Sequence, residues 1–329
     1  FLDKGQIDAA IMNYEKSREI NPDSSWININ LGFAWAEKGD LSKASNYYQQ
    51  AIEINPNYAE AWYNLGAILL KLGKLAESQK YYEQALKLDT NHIDSHFSLA
   101  NVLLKQGNFI PGFSEYEWRS KRQHYMTRSF AQPVWDASYF PGKTLLIYTE
   151  QGLGDSIQFI RYIPLVKKLG GRVIVECNKS GLKLLFTTVS EIDELFVKGE
   201  KLPDFDLQIP LMSLPRIFQT TLETIPTEIP YLSVPKSIDF PIPLAPENNL
   251  KVGIFWETSS TIETSQRRSC PVEYLEEIIN IDTVNFYILQ QEVSVADNEW
   301  LKSQTQIHNL SSSFNDLTDT AAAIKQLDL

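Results

Sequence analysis

The chain has 329 residues, of which 43% are apolar and 22% charged. That balance belongs to a folded globular protein of two or three domains and excludes wholesale disorder, a collagen-like repeat or one long coiled coil. A net charge of −11 at neutral pH argues against nucleic acid or an anionic membrane surface as the main partner, because both require a basic face.

No apolar run reaches the roughly 18 residues that a bilayer span requires, so no transmembrane segment is expected. The two cysteines, Cys177 and Cys270, lie far apart and fit neither a metal pattern nor a disulfide framework, which points to a reducing, cytoplasmic setting. The acidic excess falls mostly beyond residue 126, and that shift in composition marks a boundary.

Residues 1–126 repeat with a period of 34. Leu31, Gly32, Gly39, Ala44, Tyr47, Tyr48 and Ala51 fall on Leu65, Gly66, Gly73, Ser78, Tyr81, Tyr82 and Ala85, and Leu99, Ala100 and Gly107 continue the register. The period and residue types resemble the tetratricopeptide repeat, a pair of antiparallel helices whose apolar faces are covered only by neighbouring units. The expected division is a half repeat over 1–24, repeats over 25–58 and 59–92, and a degenerate unit over 93–126 whose end docks on the next domain. Because Phe1 falls inside a repeat, the chain is expected to be a fragment at its amino end.

Small residues at Gly32, Gly66, Ala44 and Ala51 mark where two helices approach closely, and Tyr47, Tyr48, Tyr81 and Tyr82 read as packing. The first helix of each such unit lines a groove, and its sixth position holds Asn30, Asn64 and Ser98. An asparagine ladder there hydrogen-bonds an extended peptide in the repeat domain of protein O-GlcNAc transferases; the plainer alternative is a solvated groove residue. His92 and His96 have a spacing that two metal ligands can use, but no third ligand follows and no metal is expected.

Residues 127–142 read as a joint. From Lys143 short apolar runs alternate with helical stretches: strands at 144–148, 172–176, 195–197 and 206–209, with helices at 153–169 and 179–186 between them. This is the pattern of βαβ units around a parallel sheet. Residues 224–248 are proline-rich and aperiodic, a linker. A second start follows, with strands at 250–256, 285–290 and 306–309 and helices at 271–280 and 315–329. Pro271 is read as the first residue of its helix, where proline is favoured, and Leu317, Ala321 and Ile324 as the apolar face of the last one. The fold class is therefore an α-solenoid followed by a pair of Rossmann-like α/β units.

Between the first strand and helix stands Glu150-Gln151-Gly152-Leu153-Gly154-Asp155. A dinucleotide fingerprint would place a third glycine at Ile157, although Glu176 stands where a ribose-binding acid would. A Walker loop would end in Gly-Lys-Ser/Thr, which this loop lacks. Asp155 itself has two readings from its position, a general base at the mouth of an α/β cleft or a helix cap ahead of Ser156.

The segments TEQGLGDSIQFIRYIP (149–164), LPDFDLQIPLMSLP (202–215), TTLETIP (220–226) and RRSCPVEYL (267–275) resemble the glycosyltransferase half of bacterial proteins that join tetratricopeptide repeats to a domain like the family-nine heptosyltransferases. Residues 116–119 and 133–136 resemble the joint in those proteins. The resemblance implies two facing Rossmann domains of the GT-B type, an acceptor side over 143–223 and a donor side over 249–329. It implies that Asp155 is the base, with Gln151, Gly152 and Gly154 shaping the acceptor loop. It also implies that Arg267, Arg268 and Ser269 hold the donor diphosphate, an Arg fork being suited to phosphate oxygens. The alternative for the Arg pair is a solvated position ahead of a helix.

Such a protein would be an inverting glycosyltransferase moving a sugar from a nucleotide sugar to a glycan or polypeptide hydroxyl, with no obligatory metal cofactor and with the repeats receiving a protein partner. Asp204 and Asp206 have the spacing of a metal-binding pair but fall in the acceptor half and read as a strand edge. The family pattern continues past Leu329, so the resemblance implies that the second Rossmann-like unit is incomplete here and that this chain alone is inactive. The competing expectation is a non-catalytic repeat scaffold with a degenerate α/β half.

Overall fold

The 34-residue period folds as helix pairs. The computed structural model describes residues 4–122, 128–150, 152–257, 269–304 and 307–329. Its helices α1 (Lys4–Ile20), α2 (Ser25–Lys38), α3 (Leu41–Ile54), α4 (Ala59–Lys71), α5 (Leu75–Leu88), α6 (Ile93–Lys105) and α7 (Phe109–Tyr116) pack each against the next. Gly39, Gly73 and Gly107 end the first helix of each pair at positive φ (91°, 77° and 80°), a conformation that favours glycine and sets the antiparallel turn. Inside the pairs, a Cβ on Gly32 would lie 2.6 Å from the Tyr48 ring and one on Gly66 2.9 Å from the Tyr82 ring. Those tyrosines are buried, and the half-buried Tyr47 and Tyr81 pack against the edges of neighbouring core clusters. The first helices also touch one another, α2 with α4 and α4 with α6, and so line one side of the solenoid.

The last repeat departs from the pattern. Its second helix, α7, is short and passes into a 3₁₀ turn over Glu117–Lys121. Arg119 in that turn is fully buried. Its guanidinium donates to the Tyr116 carbonyl (3.2 Å), Glu117 Oε1 (2.8 Å) and Ser213 Oγ (2.8 Å), and Ser213 Oγ donates to Glu117 Oε2 (3.0 Å). Ser213 belongs to a segment far along the chain, whose helical turn Leu214–Ile217 packs on α7. By contact, Met212–Pro226 joins Phe1–Ala131 in one unit, and Gln132–Leu211 with Thr227–Leu329 forms the other.

The second unit holds two parallel sheets. In the first, β1 (Thr144–Tyr148), β2 (Arg172–Cys177), β3 (Glu194–Val197) and β4 (Leu207–Pro210) lie in the order β3-β2-β1-β4. Leu145, Leu146 and Ile147 of β1 and Val173, Ile174 and Val175 of β2 are fully buried, as an unbroken apolar run must be when both faces of a parallel sheet are covered. Between them the helix expected over 153–169 is broken into α8 (Leu153–Phe159), a 3₁₀ turn and α9 (Ile163–Lys167). Pro164 is the cause, since it lacks an N–H and its ring collides with the carbonyl four residues back. Helix α10 (Ser180–Phe186) joins β2 to β3.

The second sheet has β5 (Leu250–Ile254), β6 (Val284–Ile288) and β7 (Ile307–Asn309) in the order β5-β6-β7. Around it lie α11 (Val295–Ser303) and α12 (Leu317–Ile324). One expectation changes here. The helix expected over 271–280 runs from Val272 as a 3₁₀ turn to Leu275 and continues as a short α-helical turn over Glu276–Ile279, with Pro271, at an extended ψ of 136°, in the cap position and not the first helical one. In α12 the buried face is Thr318, Ala322 and Ala323, while Ile324 is exposed and Leu317 and Ala321 are half-buried. The helix packs on α10, where a Cβ on Gly181 would lie 3.8 Å from Leu317, and Ala323 joins Tyr287 and Leu310 in the core. The proline-rich stretch is pinned to this sheet, with Tyr287 Oη donating to the Pro243 carbonyl (2.7 Å) and Gln326 Nε2 to that of Phe240 (2.7 Å).

Candidate functional site

The loop after β1 is anchored by Thr149, which is nearly buried. Its N–H donates to the Glu176 carbonyl (2.9 Å) and its hydroxyl accepts from the Asn178 N–H (2.7 Å), tying the carboxyl ends of β1 and β2 together. Gly152 then takes the cap position of α8 with extended backbone, and the helix starts at Leu153. Asp155 is therefore inside the first helical turn, not at the cap as one reading of the sequence had it. A Cβ on Gly152 would come within 3.5 Å of Asp155 Oδ2, so the carboxylate folds back over the start of the helix, where the N-terminal end of the helix dipole favours negative charge. Gly152 and Gly154 are exposed and Asp155 is half-buried. Gln151 lies outside the described residues. Glu176, at the end of the neighbouring strand, is 2% exposed.

On the second sheet, a cavity of about 420 Å³ opens beyond the end of β5, lined by Trp256, Glu257, Ser269, Cys270, Glu273 and Asp297 among others. Trp256 Nε1 donates to Asp297 Oδ2 (3.3 Å). Ser294 caps α11 by accepting from the Asp297 N–H (3.0 Å). Three carboxylates face this space, an unfavourable lining for a diphosphate unless cations answer them. Arg267 and Arg268, which the sequence assigns to that task, lie outside the described residues. Asp206, one of the aspartates with metal spacing, instead accepts from the Thr144 N–H (2.7 Å) at the start of β1.

On the side of the solenoid formed by the first helices, Asn30 Nδ2 donates to the Trp26 carbonyl (2.8 Å) and Asn64 Nδ2 to Glu60 Oε1 (3.1 Å). Both amides are thus engaged within their own helix, while Ser98 is half-buried near the Tyr63 and Tyr82 hydroxyls. What sequence reading missed is the aromatic content of this side: Trp26 and Phe33 are 57% and 52% exposed. Seven residues apart with Asn30 between them, they share a helix face. Their spacing was readable from the sequence once the face was known.

The two histidines make no joint site. His92 caps α6: its Nδ1 accepts from the Ser95 N–H (3.1 Å), so Nε2 carries the proton and donates to Glu60 Oε2 (3.1 Å) in α4. The Glu60 hydrogen bond raises the His92 pKa above its ordinary value although burial opposes it, and the same bond lowers the pKa of Glu60. His96 pairs through Nδ1 with Glu115 and stacks on Trp118 (3.7 Å between rings). Cys177 is buried in β2, and burial pushes its thiol up to about 12, which makes it inert.

Comparison with known proteins bears on the solenoid. A family model described as TPR repeat matches residues 34–73, and the tetratricopeptide repeat model matches residues 59–92. The N-terminal region is built of tetratricopeptide repeats. No curated protein matches the chain. Among solved structures, MamA is similar at 23% identity over 35% of this chain and 67% of its own, with a TM-score of 0.33. The first TPR of Spaghetti (RPAP3), solved with an HSP90 peptide, is 26% identical over 31% of this chain and 81% of its own, with a TM-score of 0.30. YrrB, described as a TPR protein with an unusual peptide-binding site, is 19% identical over 35% of this chain and 59% of its own, with a TM-score of 0.32. No helix among the described residues is long and apolar enough to cross a membrane.

Proposed function

We propose that the chain couples a protein-docking repeat unit to a nucleotide-sugar glycosyltransferase unit of the GT-B type. The observation that carries this reading is a cleft of about 380 Å³ in the α/β unit, lined at once by Leu153 of the Gly152–Asp155 loop, by Phe255 beyond β5 and by Leu289–Glu292 at the end of β6. Ligands of open α/β sheets bind beyond the carboxyl ends of the strands, and here the loop of one sheet and the strand ends of the other meet around one space. Asp155 is the base that takes the acceptor proton, and Arg268, with Arg267 and with Ser269 of the cavity beyond β5, neutralises the diphosphate leaving group, the main electrostatic task of such a transfer. No metal is needed for that division of labour. On the repeats, Trp26, Asn30 and Phe33 with Asn64 receive an extended segment of a protein partner.

Donor capture is tested by titrating this chain with nucleoside diphosphates while following amide resonances by NMR. The expected result is weak saturable binding, around millimolar, that perturbs Ser269, Trp256 and their neighbours and disappears in Arg268→Ala. Perturbation confined to other parts of the chain, or none at millimolar ligand, favours the scaffold with a degenerate α/β half.

A further inference from the structure

The apolar face of α12 that does not enter the core turns into the cleft. Leu317, Thr320 and Ile324 follow one another at helical spacing and form one wall, opposite Leu153, Phe255 and Leu289. Leu153, Phe255 and Ile324 keep 38%, 60% and 53% of their surface exposed. Among the described residues no lysine, arginine or histidine lines the space, and its one charge is Glu292. The polar groups are few and placed: Gln290 is held by Glu257, accepting from its N–H (3.2 Å) and donating to its carbonyl (2.9 Å), and Gln291 Nε2 donates to Thr320 Oγ1 (3.3 Å). A concave space of a few hundred Å³ with apolar walls and a small number of fixed polar groups is the usual form of a small-molecule site.

The charge pattern narrows the ligand. A phosphate or a fatty carboxylate would find no cation among these side chains and would face Glu292, an uncompensated like-charge contact. A neutral apolar group would cover Leu153, Phe255 and Ile324 and remove their surface from water. We propose that this cleft binds the neutral apolar end of a hydroxyl-bearing small molecule, an amphiphile whose hydroxyl is the acceptor. The assignment of the molecule as acceptor rests on the glycosyltransferase reading above, because Leu153 stands two residues before Asp155 on the same helix; the binding itself does not.

The test is calorimetric titration of the full chain with octyl glucoside below its self-association concentration, beside glucose and decanoate. Saturable binding of octyl glucoside is expected, with glucose and decanoate at least about 10-fold weaker. Phe255→Asp and Ile324→Asp, both at side chains more than half exposed and so tolerated by the fold, should each weaken octyl glucoside at least about 10-fold. Leu244→Asp, at a 95% exposed position outside the cleft, should leave it unchanged. Decanoate binding as well as octyl glucoside, or affinity indifferent to both cleft substitutions, overturns the proposal. The outcome is separate from that of the diphosphate titration: loss of diphosphate binding with octyl glucoside binding intact removes the transferase reading and leaves an amphiphile site.

Discussion

In the repeats, Tyr48 and Tyr82 press on Gly32 and Gly66 at the same place in consecutive units, and each contact lies within one helix pair. In the α/β unit, Leu145–Ile147 are buried by strands that arrive from 172–177 and 207–210. The first arrangement is local and copied; the second is long-range and occurs once. A lesion in a repeat therefore removes one of several equivalent interfaces, whereas a lesion in β1 strikes the strand to which its neighbours on both sides are paired.

That contrast also explains how much could be read from the sequence. A 34-residue period exposes glycine, alanine and tyrosine positions by repetition, and the helix pairs follow from it. Among the described residues, β1 and β2 were legible as apolar runs because both of their faces are covered; the other strands, less buried and interrupted by polar residues, lie within a residue or two of the expected ends. Less local features were hidden. Nothing in the sequence near Arg119 announces that Ser213 will meet its guanidinium, since the partner lies 94 positions away. Helix α12 buries Thr318, Ala322 and Ala323 and leaves its largest apolar residues, Leu317 and Ile324, half-buried or exposed; size alone does not say whether a core or a cleft receives them. The helix expected from Leu153 begins there, which puts Asp155 inside the first turn and removes only the reading of it as a cap ahead of Ser156.

If the two units are as different as this, calorimetric unfolding should show two transitions that substitutions move separately. Leu146→Ala, in the centre of β1, should cost about 2–5 kcal/mol and lower the α/β transition while leaving the repeat transition in place. A single transition that shifts as a whole would show that the units share their stability.

A smaller effect is expected from Gly66→Ala. Overpacking against the buried Tyr82 ring costs about 1–3 kcal/mol, and alanine recovers about 0.5–1 kcal/mol of helix preference. The net result is a lower repeat transition. A stabilised variant would mean that the ring has room to retreat.

The smallest effect is a pH dependence confined to the repeats. Because His92 titrates above its ordinary value in the folded chain, its contribution is complete below about pH 6.5 and is lost as pH rises through the folded value. The lowered pKa of Glu60 keeps its carboxylate charged throughout that window. The repeat transition should therefore move up as pH falls from about 8 to about 6. His92→Asn retains a capping side chain and should flatten the profile, and an unchanged slope in that variant would assign it to other groups.

The account turns on Asp155 as the base of a sugar transfer, and the direct measurement is turnover of a nucleotide sugar by the natural protein and by its Asp155→Asn variant. Asparagine keeps the size of the side chain at the start of α8 and removes its basicity. Turnover should fall roughly 100-fold to 10,000-fold with donor affinity nearly unchanged; normal turnover in the variant would contradict the assignment and leave Asp155 as a residue that only steadies the first turn of its helix.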